Sequence, residues 1–185
     1  MSIGELKQMQ LDGFELGNHT HSHLNLTTLK DERVTSEICK VNDFFKKHSL
    51  NLPTSFCYPG YHASIKVSKI LKKLNFTHAR TGYVYDHHPW ERSKEVERPK
   101  VSYHPLSSDS SLLIKSTGIV NDIYKFEDFK KDVEEAPDDS YCVFTFHGFK
   151  SKDGADELIK IVNYIKENDF PTFNLSELPA ETSYE

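Results

Sequence analysis

The sequence predicts an α/β chain in which parallel strands alternate with crossover helices. Two patterns carry that expectation: segments with apolar residues at helical spacing alternate with short β-prone runs, and the links between them are short. A third supports it. Tyr141-Cys142-Val143-Phe144-Thr145-Phe146 is almost continuously apolar and β-prone, as in a strand covered on both faces.

In chain order, Ile3 to Met9 reads as a short helix stopped by Gly13, and Phe14-Glu15-Leu16-Gly17 as a short strand. Val34, Ile38, Val41, Phe44 and Phe45 mark a helix within residues 29–48, ended before Pro53. Ser55 to Tyr58 reads as a strand broken by Pro59-Gly60. Ile65, Val67, Ile70, Leu71 and Leu74 mark a second long helix closed by Asn75, and Phe76 to Arg80 the next strand. Residues 82–111 carry Pro89, Pro99 and Pro105 among charges and aromatics, the composition of a functional loop. After the run at 141–146, Gly154 precedes a helix with Leu158, Ile161, Val162 and Ile165 on one face, and Pro171 to Leu175 reads as a last strand. No linker or repeat divides the chain, so residues 1–185 are expected to form one domain.

Composition narrows the function. Of 185 residues 37% are hydrophobic but 12% are aromatic, so rings are expected to supply much of the core. A formal charge of −5 argues against a nucleic-acid backbone as partner, which calls for a basic face. No run approaches the length of a membrane span. Cys39, Cys57 and Cys142 are odd in number and widely spaced, which fits small buried side chains rather than disulfides or a thiolate metal site. With no signal peptide visible, this favours the cytoplasm.

The histidines are unevenly distributed. His19, His21 and His23 fall in Gly17-Asn18-His19-Thr20-His21-Ser22-His23. An extended segment would turn all three to one side; a helical one would pair His19 with His23 and turn His21 away. Either way two neutral imidazoles can reach one divalent ion, zinc being well suited to nitrogen donors. A strand end is also where parallel α/β folds gather their chemistry.

These residues carry a resemblance. Gly13 to His23 is similar to the second motif of the polysaccharide deacetylases (NodB-homology, carbohydrate esterase family 4), His-Ser/Thr-x-x-His, with His19 and His23 at the metal-binding positions and Thr20 at the small hydroxyl. Phe56-Cys57-Tyr58-Pro59-Gly60-Tyr61 resembles the third motif, a wall of the substrate groove. The resemblance implies an oxyanion-binding N–H near Gly60, with Tyr58, Pro59 and Tyr61 lining the sugar. Phe76 to Thr81 resembles a strand that many members share. Thr145-Phe146-His147 matches the last motif, whose histidine is the general acid, and Asp86 and Trp90 are candidates for the fourth, which supplies an Asp and a groove-lining Trp.

Membership of that family would imply a distorted (β/α) barrel and a zinc-dependent hydrolase removing N-acetyl or O-acetyl groups from an acetylated polysaccharide or oligosaccharide. The family's first motif, Thr-Phe-Asp-Asp-Gly, has no counterpart in this sequence. The barrel is therefore expected to lack its first strand, the reaction to be impaired without that Asp pair, and the unpaired edges to favour homo-oligomers. Two alternatives stand beside it: a catalytically inactive carbohydrate-binding member of the fold, and a His-x-His metallo-phosphoesterase drawing on His78 or His104.

Overall fold

In the computed structural model the described residues are 1–82, 103–105, 111–119, 124–146 and 152–178. They fall into two compact units, one comprising Met1–Thr81, Ser107–Ile114 and Phe173–Glu185, the other Gly82–Leu106 and Lys115–Thr172.

The first unit opens with helix α1 (Ile3–Leu11), capped by Ser2, whose hydroxyl accepts from Glu5 N–H while the Glu5 carboxylate takes the Ser2 N–H. None of its residues is buried. Helix α2 (Asp31–Lys47) has acids in its first turn and lysines in its last, matching its dipole. It buries Val34, Ile38 and Phe45, together with one charged residue, Glu37. Strand β1 (Ser55–Cys57) leads through a 3₁₀ turn, Pro59–Tyr61, to helix α3 (Ile65–Lys73). Ser64 caps α3 by accepting from Val67 N–H, and Val67, Ile70 and Leu71 form its buried face. Strand β2 (His78–Gly82) runs parallel to β1, with Ser55 opposite His78 and Cys57 opposite Arg80. On its far side Ala79 N–H donates to Ser111 O at 2.8 Å.

The core between these helices and strands is aromatic-rich, as the composition implies. Phe56 meets Tyr58 and Phe76 edge to face at centroid distances of 5.3 and 5.8 Å, beside Leu26, Val34, Ile38, Leu71 and Leu112.

The second unit holds strands β3 (Tyr103–Pro105) and β4 (Ile114–Ile119), helix α4 (Phe126–Glu134), strand β5 (Ser140–Phe146) and helix α5 (Lys152–Glu167). β4 and β5 are parallel, with Ser116 opposite Val143; β3 joins β5 antiparallel, with Tyr103 opposite Cys142. Tyr124, Phe129 and Ile161 form its small core, against Phe144 and Tyr164.

Two expected strands are absent. Phe14 to Gly17 forms no ladder: the segment is reduced to a single parallel bridge, Asn18 to Phe56. Pro171 to Leu175 is irregular, followed by a 3₁₀ turn at Leu175–Glu177. The cause is local. Asn174 Oδ1 accepts from Glu15 N–H, Asn174 Nδ2 donates to Gly13 O, and Ser176 N–H donates to Glu15 Oε2. Side chains thus take the backbone groups that a ladder would have used. β5 is half-buried along most of its length rather than covered on both faces. Helix α5 begins two residues ahead of the buried Gly154.

Candidate functional site

The histidine segment begins where Asn18 joins the sheet. Asn18 N–H donates to Ser55 O at 3.0 Å and Cys57 N–H to Asn18 O at 2.9 Å, a one-residue extension of the parallel sheet beside β1. Gly17 permits this approach, since a Cβ there would stand 2.9 Å from Ser55 Oγ. His19 is therefore held beside the carboxyl end of β1, at Cys57.

Beyond Asn18 the chain turns sharply. Thr20 (φ 66°) and His23 (φ 52°) both lie in the left-handed region, costly for residues other than glycine. Side chains hold the turn in place. The fully buried Asn18 accepts the Thr20 N–H at 2.8 Å on Oδ1 and donates through Nδ2 to Ile38 O and Asn42 Oδ1. Thr20 Oγ1 accepts the His23 N–H at 3.1 Å, which gives the hydroxyl of the motif its physical role.

This fold brings His19 and His23 together, their rings edge to face at a centroid distance of 4.8 Å. His21 turns aside, its Nδ1 3.0 Å from Ser22 Oγ. His19 Nδ1 lies 2.8 Å from Cys57 O. A carbonyl can only accept, so Nδ1 carries the proton and the ring's lone pair is on Nε2. Fixing the tautomer of an imidazole through its other nitrogen is how metal-binding histidines are commonly oriented.

The donor set thus fits two positions of a divalent ion. Among the described residues no group of three His, Cys, Asp or Glu side chains is placed to hold a metal.

The Pro59–Tyr61 turn sits at the end of the neighbouring strand. Gly60 (φ 58°) and Tyr61 (φ 62°) are both left-handed. Tyr61 N–H and His62 N–H close the turn on Tyr58 O and Pro59 O; Gly60 N–H precedes them in an exposed first turn, where helical N–H groups have no intrahelical acceptor. Two contacts hold Tyr61 in its strained conformation. Thr81 Oγ1 donates to Tyr61 O at 2.6 Å, and Arg80 hydrogen-bonds the Tyr61 side chain. Burial pushes the Tyr61 hydroxyl above its usual range, with Arg80 pulling back. Burial likewise raises the Cys57 thiol, the Arg80 charge again opposing.

One expected sugar-binding residue needs correcting. Tyr58 is 0% exposed and its hydroxyl donates to Leu112 O at 3.0 Å, so it packs the core and offers no face to a sugar. Pro59 is buried beneath the turn and Tyr61 half-buried. His147, Asp86 and Trp90 lie outside the described residues. His78, 1% exposed in β2, bonds Thr77 Oγ1; His104 stacks on Tyr141.

Three contributors were not singled out from the sequence: Asn18, Arg80 and Glu37. The signal for Glu37 was present. It falls on the apolar stripe of α2 with Val34, Ile38 and Val41, a charge where the period demands an apolar residue. Arg80 has no local signature, since only strand register sets it opposite Cys57.

Comparison with known proteins bears on the family and the fold. Residues 3–79 match the family model described as polysaccharide deacetylase. A peptidoglycan-N-acetylglucosamine deacetylase of Bacillus cereus is 29% identical over 46% of the chain, and the match spans 39% of that relative. A Bacillus anthracis structure described as a carbohydrate esterase family 4 pseudoenzyme covers 95% of the chain at 14% identity and a TM-score of 0.61, over 50% of its own length. A family 4 acetyl xylan esterase from Clostridium thermocellum, in complex with a cobalt ion, covers 95% of the chain at 14% identity and a TM-score of 0.57, over 68% of its own length. By sequence the chain matches the polysaccharide deacetylase model over residues 3–79, under half of its length, and its α/β fold is similar to that of carbohydrate esterase family 4 structures.

Proposed function

We propose that this chain is a metal-assisted hydrolase that removes N-acetyl groups from an aminosugar polymer, with His19 and His23 gripping a divalent cation, zinc by preference. The observation that carries the reading is the His19–His23 pair, with the Nδ1–H of His19 committed to Cys57 O. The acetyl xylan esterase with its cobalt ion and the peptidoglycan deacetylase supply the class of metal and of substrate.

The bound cation would supply Lewis acidity and an activated water at neutral pH. The chain's own residues do the rest. Asn18 and Cys57 O orient His19, Thr20 holds the turn carrying His23, and the Gly60 N–H, as the motif match implies, is the donor for the developing oxyanion. Tyr61 borders the sugar beside that turn. On the match of Thr145-Phe146-His147 to the last motif, protonation of the departing amine is the role of His147, a contribution of ~10²–10⁴ in rate. Without the Asp-Asp motif, which the sequence lacks, turnover by this chain alone is slow.

Acetate release from N-acetylglucosamine oligomers, with zinc or cobalt added, tests the proposal. The expected result is metal-dependent release that His19→Ala abolishes and His147→Ala lowers by ~10²–10⁴. Equal turnover in His19→Ala would reject it.

The Bacillus anthracis pseudoenzyme favours a second reading, glycan binding without turnover. Oligomer binding with no acetate at any metal concentration would select it, and phosphate release from a phosphoester would select the metallo-phosphoesterase instead.

A further inference from the structure

We infer that Glu37 of α2 is a positioning residue for the His19–His23 pair, setting the metal affinity of the loop from beneath it. The inference rests on the reading of that pair as metal ligands.

Glu37 is 0% exposed and its carboxylate is fully engaged. Oε2 accepts the Ser22 N–H at 2.8 Å, Oε1 accepts the Ser22 hydroxyl at 3.4 Å, and Arg33 Nη2 stands 2.8 Å from Oε1 one turn earlier on the helix. The backbone carbonyl of the same residue accepts the His21 N–H at 3.1 Å. One residue of α2 therefore fastens two consecutive residues of the loop, both between His19 and His23.

Burying a carboxylate on the apolar face of a helix is costly, and a well-packed apolar residue of similar size there is often neutral or stabilising. Stability alone does not call for Glu37. What an apolar side chain could not do is accept the Ser22 N–H. The segment from His19 to His23 contains two left-handed residues other than glycine, and local bonds from Asn18 and Thr20 hold its two ends. Its centre is held by Glu37.

Cobalt titration of the whole chain, followed by visible absorption, separates positioning from packing. Glu37→Met keeps the volume and the apolar face but removes the acceptor; Glu37→Gln keeps an oxygen for Ser22. Positioning predicts that Glu37→Met melts near the parent temperature yet binds cobalt at least about tenfold more weakly, with an altered ligand-field band, while Glu37→Gln largely restores both, outer-shell partners being worth roughly 10–100-fold in metal affinity. Glu37→Ala, measured in parallel, gives the same loss if the Met variant does not fold. Cobalt affinity within about twofold of the parent in the folded apolar variants would overturn the inference while leaving the metal reading intact. Failure of the parent itself to bind cobalt would overturn the metal reading beneath it.

Discussion

Among the described residues each unit buries one carboxylate on a helix, and the two are used differently. Glu37 in α2 reaches outward to the backbone of a loop that carries imidazoles. Asp132 in α4, 5% exposed, stays within its own unit, where Oδ2 accepts the Tyr124 hydroxyl at 2.5 Å and its carbonyl accepts the Tyr103 hydroxyl at 2.6 Å. The partners decide what a buried charge is for. One bonded to a turn of strained backbone serves the geometry of that turn, whereas one bonded to an aromatic hydroxyl ties helix to core. The first should be felt in ligand binding, the second in stability.

Exchanging the roles is the strongest way to break that comparison. Asp132→Ala strands the Tyr124 hydroxyl in the core, and should cost about 3 kcal/mol by urea unfolding. Cobalt affinity should not change. A parallel loss of metal binding would mean that the two carboxylates are not functionally distinct.

A second test uses pH. Burial, with the Asp132 charge beside it, pushes the Cys142 thiol up to about 11 from 9.0. Because the folded value is the higher one, its contribution is fully present below about pH 9 and is lost as pH rises towards about 11. At two units, reduced for partial exposure, this amounts to roughly 2 kcal/mol. Urea midpoints measured across that window should fall, and Cys142→Ala should flatten part of the slope; an unchanged slope in that variant would reject the raised thiol as a source of the pH dependence.

The smallest effect sharpens the contrast within the first unit. Tyr58→Phe removes the bond to Leu112 O and should cost about 1 kcal/mol, with sugar binding unchanged because the ring is wholly buried. Weaker binding of N-acetylglucosamine oligomers would restore Tyr58 to the groove.

The sequence revealed those parts of the molecule where period and chemistry coincide. The stripes of α2 and α3 and the His19–His23 spacing are local, and each forms where its pattern points. Segments whose backbone bonds go to distant side chains were not legible: Glu15 and Asn174 lie far apart in the chain yet meet, removing two expected strands. Helix α4 is as long as α3 and carries Phe126, Phe129 and Val133 at helical spacing, but three apolar residues against the four of α3 leave a weaker stripe. Strand β4, with Lys115, Ser116 and Gly118 in its sequence, has little apolar signal at all. Arg80 reaches the site through register, which a single sequence does not display.

The central claim is that His19 and His23 bind one cation together, His19 through Nε2. Long-range ¹H–¹⁵N correlation spectra of the imidazoles during zinc titration test it directly. The account predicts Nδ1–H on His19 before metal is added, then simultaneous shifts of His19 Nε2 and one His23 nitrogen that saturate at one equivalent. A His19 protonated at Nε2 in the neutral form, or two histidines that respond at different zinc concentrations, would contradict it.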